Sequence, residues 1–409
     1  MPPALVTATP EAVGLSSSGL AAVDAAVQAQ IDSGAIAGAI TLVARHGQVC
    51  HVHAMGMKDI AAGEPSQVGD LYRIFSMTKP VTAVAMMILW DQGLWRPDDP
   101  IEKHLPEFAG ARVLSGINAD GVPKLEPAAH APTLLELLTH TAGLVYGTAL
   151  SDPNSPVDQA YRTAQVWQSA DLNEMMARLG PLPLAYQPGS SWRYSIGMDV
   201  QGAVIERLSG QTLPDFMRTR IFGPLGMIDT AFHTPPEKAD RLAALYLKAG
   251  DTPLTAIANP LHPDPTEVPA LPLGGSGLIS TLGDYARFAQ MLLDKGAFAG
   301  GRILSTDAAH LMMSNHLPDA LMEKGFVAGH QRIRPGFGIG FNGVVFTDPA
   351  LAGVPVGRGT YHWDGAAGTW FWIDPANDLI FVGMTQCLSY TAPPLQALTQ
   401  TLMAQAFVA

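Results

Sequence analysis

Between Ser16 and Ser33 apolar residues recur every three or four positions, at Leu20, Val23, Val27 and Ile31, and Gly34 follows as a stop; the spacing predicts an amphipathic helix. The pattern then shortens. Ala39 to Val43 and Val49 to Ala54 flank the turn-like Arg45-His46-Gly47-Gln48, which predicts a strand, a hairpin turn and a second strand. A third signature begins at Pro80 and runs apolar to Trp90 before Asp91-Gln92-Gly93 closes it, as expected of a buried helix with glycine at its C-terminal stop. Pro80 fits that helix only in its first turn, where backbone N–H groups lack intrahelical partners anyway. The helix therefore starts near Phe75 or Ser76.

From Trp95 to about Pro272 the character changes: helical patterns such as Thr133 to Thr139 and Met198 to Leu208 are spaced by loops rich in proline and glycine, with few alternating strands. Strand signals return in the last third. Thr369 to Ile373 and Leu379 to Thr385 flank Asp374-Pro375-Ala376-Asn377-Asp378 as a hairpin, and Pro393 to Phe407 reads as a closing helix. The expected class is α+β: an antiparallel sheet built from both ends of the chain and flanked by the terminal helices, with a mostly helical insert alongside. The expected division is a discontinuous sheet domain, residues 1–95 and 270–409, and a helical domain, residues 96–269.

Composition narrows the function classes. With 409 residues, 47% hydrophobic and 15% charged, the chain is long and apolar enough for a large packed core. A formal net charge of −12 without any lysine- or arginine-rich run gives no electrostatic footprint for nucleic acid or an anionic membrane, so the expected partner is a small neutral molecule. Residues 1–10 lack a basic segment followed by an apolar one, and no stretch of about 18 apolar residues occurs, so a cytoplasmic protein without membrane insertion is expected. Cys50 and Cys387 match no zinc or redox spacing and read as free buried thiols. Nothing in the chain selects between a monomer and a homodimer.

Candidate chemistry centres on Ser76-Met77-Thr78-Lys79, where a serine stands three residues before a lysine. Residues three apart on a helix share a face, so the Lys79 amine can reach the Ser76 hydroxyl, and apolar walls together with the helix N-terminus favour a neutral amine. A neutral amine beside a hydroxyl makes an activated nucleophile. In isolation the spacing also fits a serine near a helix start and a lysine snorkelling away from it. Two further segments supply the parts such a nucleophile needs. Trp192-Arg193-Tyr194-Ser195-Ile196-Gly197-Met198-Asp199 offers Tyr194 as a proton carrier, the more so if a nearby ammonium lowers its pKa. His362-Trp363-Asp364-Gly365-Ala366-Ala367-Gly368-Thr369-Trp370 offers a glycine-rich strand edge whose backbone N–H can point into a cleft.

Ser-x-x-Lys, Tyr-Ser and Trp-x-Gly, in that order and over nearly the whole chain, resemble the serine β-lactamase and penicillin-binding-protein superfamily, and within it the family VIII carboxylesterases. Leu71 to Phe75, Leu137 to Leu144 and Gly274 to Thr281 carry the resemblance around the motifs. The resemblance implies a β-lactamase/DD-peptidase-like fold with Ser76 as nucleophile, Lys79 as its base and Tyr194 as second acid–base. It also implies an oxyanion hole from the backbone N–H groups of Ser76 and Ala366, the Trp363-Asp364-Gly365 triplet as third, substrate-binding motif, and neither metal nor cofactor. His140 and Ser276 belong to recurring segments taken as scaffold.

The departures bear on substrate. β-Lactamases and peptidases of the superfamily place asparagine where Ile196 stands, and a Lys-Thr-Gly-like triplet where Trp363-Asp364-Gly365 stands. Isoleucine and tryptophan cannot bind an amide side chain or attract a carboxylate, which favours neutral esters hydrolysed through an acyl-enzyme on Ser76. Family VIII esterases usually carry Trp-Gly-Gly at the third motif, so Asp364 replaces a glycine, and a solvent-facing or capping role fits it slightly better than a substrate contact. Phe75, Trp192, Ile196, Trp363, Trp370 and Trp372 are candidate pocket-lining or core positions. The alternatives are β-lactam or D-amino-acid peptide hydrolysis, acyl transfer to an alcohol, and a non-catalytic ligand-binding relative. No Gly-x-Ser-x-Gly and no His-Glu-x-x-His occurs, and His51 and His53 read as surface or packing positions rather than metal ligands.

Overall fold

The computed structural model describes residues 8–148, 151–328, 331–389 and 395–408. Helix α1 (Ser17–Asp32) is capped by Ser16, whose hydroxyl accepts the Gly19 N–H, and buries Leu20, Val23 and Val27. Strands β1 (Gly38–Arg45) and β2 (Gln48–Asp59) follow, joined through His46 and Gly47, both at positive φ, as a two-residue hairpin turn requires. A two-residue strand, β3 (Glu64–Pro65), pairs with the end of β2. A single 3-10 turn, Phe75–Met77, then leads into α2 (Thr78–Asp91), which is buried from Thr78 to Leu89.

Within the middle of the chain, α3 (Leu134–Leu138) starts on a reciprocal cap between Thr133 and Glu136, and α4 (Gly197–Ser209) ends on Gly210 at φ +68°. This region carries more strand than its sequence suggests. Arg112–Ile117 and Pro123–Pro127 form a hairpin, and Tyr246–Lys248 pairs in parallel with Cys387–Ser389. The Pro123–Pro127 arm is exposed throughout and therefore shows no alternation of apolar and polar residues to read.

After α5 (Leu282–Leu293) the chain forms β4 (Phe337–Gly340), β5 (Gly343–Phe346), β6 (Tyr361–Asp364), β7 (Trp370–Asp374) and β8 (Leu379–Met384), then α6 (Leu395–Met403). Pro393 and Pro394, included in the expected closing helix, lie outside the described residues. The sheet is eight-stranded and antiparallel in the order β4-β5-β6-β7-β8-β1-β2-β3, so the two ends of the chain meet at β8 and β1, with Ile40 opposite Met384 and Val43 opposite Phe381. Asp374 sets the β7–β8 turn by accepting the N–H groups of Ala376 and Asn377.

Each face of the sheet has its own apolar layer. Ala39, Val43, Trp370, Trp372 and Phe381 pack with α1 and α6, whereas Ile40, Leu42, Phe371 and Val382 pack with α2, α5 and the helical region. Cys50 and Cys387 are free and buried. Among the described residues no helix is long and apolar enough to cross a membrane.

Candidate active site

The site forms where the start of α2 meets the loop before α4 and the β6–β7 edge. Phe75, immediately before Ser76, is held at φ +42°, a conformation that costs a side chain of its size about 1–3 kcal/mol and survives only where the surroundings enforce it. Ser76 sits on the 3-10 turn and Lys79 one turn later, which brings Lys79 Nζ to 3.1 Å from Ser76 Oγ. The Tyr194 hydroxyl donates to the same oxygen at 2.8 Å. Ser76, Lys79 and Tyr194 thus converge on one atom, from segments 118 residues apart.

Lys79 is fully buried, and its amine donates to the Gly275 carbonyl at 2.7 Å. Burial pushes its pKa down to about 7, opposed by the negative charges of Asp199 and Asp364. A large fraction of the amine is therefore neutral at pH 7 and can accept the Ser76 proton. Asp199, also buried, accepts the Gly275 N–H at 3.0 Å through one carboxylate oxygen, while the other has no hydrogen-bond partner among the described residues. Burial raises its pKa to about 6, opposed by the Lys79 charge. Gly275 consequently binds Asp199 on its N–H side and Lys79 on its carbonyl side.

Tyr194 corrects one expectation. Its pKa is not lowered by the neighbouring ammonium: burial pushes the phenol well above its ordinary value, and it rests as a neutral donor rather than a phenolate. Tyr146 stacks on its ring at 5.5 Å, Trp363 at 5.9 Å, and the Lys79 ammonium position lies 4.7 Å from its centre. His140, at φ +61°, accepts the Ser195 N–H through Nδ1 at 3.1 Å and so anchors the loop that carries Tyr194. Burial holds its imidazole neutral. Beneath Lys79, Asn342 donates to the Lys79 carbonyl at 2.9 Å and pairs amide to amide with Gln201.

A cavity of about 660 Å³ opens over Ser76 and is lined in part by Phe75, Trp192, Tyr194 and Ala366. Its far walls come from distant segments, including Pro260-Leu261, Phe326 and Leu388. Ala366 is exposed to it, and its N–H takes no part in the hydrogen bonds of the described residues. The turn that presents Ala366 is tight. Gly365 donates to the Thr369 carbonyl at 2.7 Å, and a Cβ on Gly365 would lie 2.5 Å from the Ile74 carbonyl oxygen, so the position admits only glycine.

Not every expected position reaches the cavity. Trp370 and Trp372 face the terminal helices, with Trp370 Nε1 donating to Thr399 Oγ1 at 3.1 Å; successive strand residues alternate faces, and only Phe371 between them points toward α5. Ile196 caps the start of α4 and is wholly buried in the core. Trp363 is buried against Tyr194 behind the cavity wall, and Asp364 is half-buried outside the lining while its charge still acts on Lys79 and Tyr194. Ser276, expected as scaffold, lines the cavity beside Gly275. Tyr146, Asp199, Asn342 and Gln201 were missed by sequence reasoning. Asp199 alone carried a usable signal, a charge at the start of a helix otherwise destined for the core. Among the described residues, histidines and carboxylates converge with metal-ligand spacing only at Asp24, His51 and His53, which are not among the cavity-lining residues.

The Beta-lactamase family model matches residues 23–403. Protein Rv1367c of Mycobacterium tuberculosis is 37% identical over 367 residues, which cover 88% of this chain and 88% of that protein. Esterase EstB of Burkholderia gladioli is 31% identical over 392 residues, 92% of this chain and 93% of EstB. The structure of EstCE1, described as a hydrolase with promiscuous acyltransferase activity, is similar with a TM-score of 0.77 at 28% identity, covering 96% of this chain and 99% of EstCE1.

Proposed function

This chain belongs to the Beta-lactamase family and has a β-lactamase/penicillin-binding-protein-like fold, and from that premise we propose that it is a serine carboxylesterase that cleaves neutral esters through an acyl-enzyme on Ser76. The observation that carries the reading is the meeting of Lys79 Nζ and the Tyr194 hydroxyl on Ser76 Oγ. Neutral Lys79 takes the Ser76 proton as Oγ attacks the ester carbonyl carbon, and the oxyanion forms against the N–H groups of Ser76 and Ala366. Collapse breaks the ester C–O bond; the Tyr194 hydroxyl protonates the departing alkoxide and is reprotonated from the Lys79 ammonium. Water then attacks the acyl carbon, giving its proton to Lys79 by way of Tyr194; collapse of the intermediate breaks the Ser76 Oγ–acyl bond, Lys79 returns the proton to Oγ, and the acid leaves with Ser76 restored.

The preference for a neutral ester rests on the motifs. Ile196, buried in the core, and Trp363, buried behind the cavity wall, occupy the motif positions that carry asparagine and lysine in the β-lactamases and peptidases this chain resembles, and neither can bind an amide side chain or a carboxylate. EstCE1's acyltransferase activity supports a second reading, transfer of the acyl group to an alcohol in place of water. Turnover of a p-nitrophenyl ester beside a chromogenic cephalosporin, with and without added alcohol, separates these readings. A serine-directed phosphonate adds one label by intact mass, lost in Ser76→Ala. Faster cephalosporin turnover would overturn the ester preference, and an unlabelled wild-type protein would overturn catalysis by Ser76.

A further inference from the structure

We propose that Asp24, His51 and His53 form a binding site for a single Zn2+-class transition-metal ion that clips the N-terminal helix to the sheet. His51 and His53 stand two apart on β2 and therefore share one face of the strand, the face over which α1 packs; His51 lies opposite Val43, a residue of the α1 layer. Asp24 comes from α1 and meets both rings with one carboxylate. His51 Nε2 lies 2.9 Å from Oδ1 and His53 Nδ1 lies 2.8 Å from Oδ2. The three candidate ligand atoms all fall within 4.8 Å of one another. In a tetrahedral zinc site with bonds of about 2.0–2.2 Å the ligand atoms are roughly 3.3 Å apart, so small side-chain rotations close the cluster on an ion.

The donor set selects the class of ion. Two imidazoles and one carboxylate suit zinc, nickel or copper and not calcium or magnesium, which require more oxygen ligands. Three protein ligands leave a fourth position, and His53, with 46% of its side chain exposed, opens that position to water. The remaining ring nitrogens, Nδ1 of His51 and Nε2 of His53, make no hydrogen bond within the described residues, so neither ring is locked into a competing protein contact. A net charge of −12 favours approach of a cation. The cluster lies on the α1 side of the sheet, whereas α2, which carries Lys79, packs on the other side; the site serves stability rather than ester chemistry.

Isothermal titration of Zn2+ into the chelator-treated full-length protein tests this, with Co2+ absorption as an independent report of tetrahedral nitrogen and oxygen ligation. One equivalent binds at micromolar concentration and raises the melting temperature; His51→Ala and His53→Ala each weaken binding roughly tenfold or more, and the pair abolishes it. Asp24→Asn, which keeps the shape of the side chain, weakens it as well. Metal-free ester turnover in the double variant matches wild type, which shows that the variant is folded. Equal binding by wild type and the double variant, or no binding by wild type at roughly 100 µM Zn2+, would overturn the proposal.

Discussion

Removing the Asp199 charge while keeping the shape of its side chain, by Asp199→Asn, probes how the fold sets the basicity of Lys79. Lys79 Nζ bonds the Gly275 carbonyl at 2.7 Å and Asp199 accepts the Gly275 N–H at 3.0 Å, so with one residue's backbone between them the two charges stand about 7 Å apart. At an effective dielectric constant of about 20, unit charges at that distance attract by about 2 kcal/mol. That interaction holds the proton on Lys79 more tightly by roughly one to two pH units. Burial has already pushed the lysine down to about 7, and only the neutral amine can take the Ser76 proton. In wild type kcat/KM therefore rises with pH through a limb near neutrality. In Asp199→Asn the pKa of Lys79 falls further, the limb moves to lower pH by the same one to two units, and the plateau drops because a weaker base drives the attack less well. The assay is kcat/KM for a neutral p-nitrophenyl ester from pH 4.5 to 9, with melting temperature as a control on folding. A folded variant that loses rate with its limb unmoved would refute the electrostatic argument and leave Asp199 as a brace for Gly275. A limb displaced to higher pH would contradict the sign.

Asp364→Asn should move the same limb in the same direction but less far, since Asp364 is half-buried and the weaker of the two charges acting on Lys79; a pH profile under identical conditions checks this. Gly365→Ala should lower kcat by about 10²-fold or more, because the added Cβ meets the Ile74 carbonyl and displaces the Ala366 N–H from the oxyanion position, an effect read by steady-state kinetics on a variant shown to be folded. Trp192→Ala should raise KM for esters with bulky aromatic groups and leave short acetate esters little changed, since Trp192 and Phe326 stack at 4.4 Å in the cavity wall. Asn342→Ala should cost about 1–3 kcal/mol in urea unfolding, as it strands the Gln201 side-chain oxygen in the core and removes a second donor from the Lys79 carbonyl.

Local chemistry made some of this structure legible and left other parts unreadable. The helix from Ser17, the β1–β2 hairpin and the β7–β8 hairpin each carry their period and turn residues in consecutive positions, so their existence and approximate bounds follow from the chain alone. The Ser76–Lys79 geometry follows from helical spacing, and the place of Tyr194 from its motif. What escapes is set by side-chain direction or by distance in sequence. Trp370 and Trp372 looked suited to a pocket by residue type, yet β7 turns both toward α1 and α6 and sends only Phe371 the other way. The Arg112–Pro127 hairpin lies at the surface, where no apolar alternation marks its second strand. Gln201 and Asn342 stand 141 residues apart and reveal their pairing only once α4 and the β4–β5 turn are packed together.

The charges around Ser76 tie substrate preference to the same balance that tunes Lys79. Among the described residues lining the cavity, Arg193 is the single cation, and its guanidinium is bonded to Asp158, which also accepts the Gly147 N–H. Lys79 is near neutrality when it is competent, Asp199 is ionised above about pH 6, and Asp364 contributes a further negative charge. A substrate bearing a carboxylate near the scissile bond would lie in the negative field of two carboxylates outside the cavity lining, and among the described lining residues it would find a cation only by detaching Arg193 from a buried carboxylate. A neutral ester meets no such cost, and under the proposed mechanism its developing oxyanion needs only the backbone N–H groups of Ser76 and Ala366. The substitution of Trp363-Asp364-Gly365 for a lysine-bearing triplet therefore acts twice, withdrawing the attraction for anionic substrates and supporting the proton affinity of the base. An ester and its carboxylate-bearing analogue of equal size should differ in kcat/KM by at least about tenfold in favour of the neutral one, with the gap narrowing in Asp364→Asn. A gap unchanged by that variant would place the discrimination in cavity shape and not in charge.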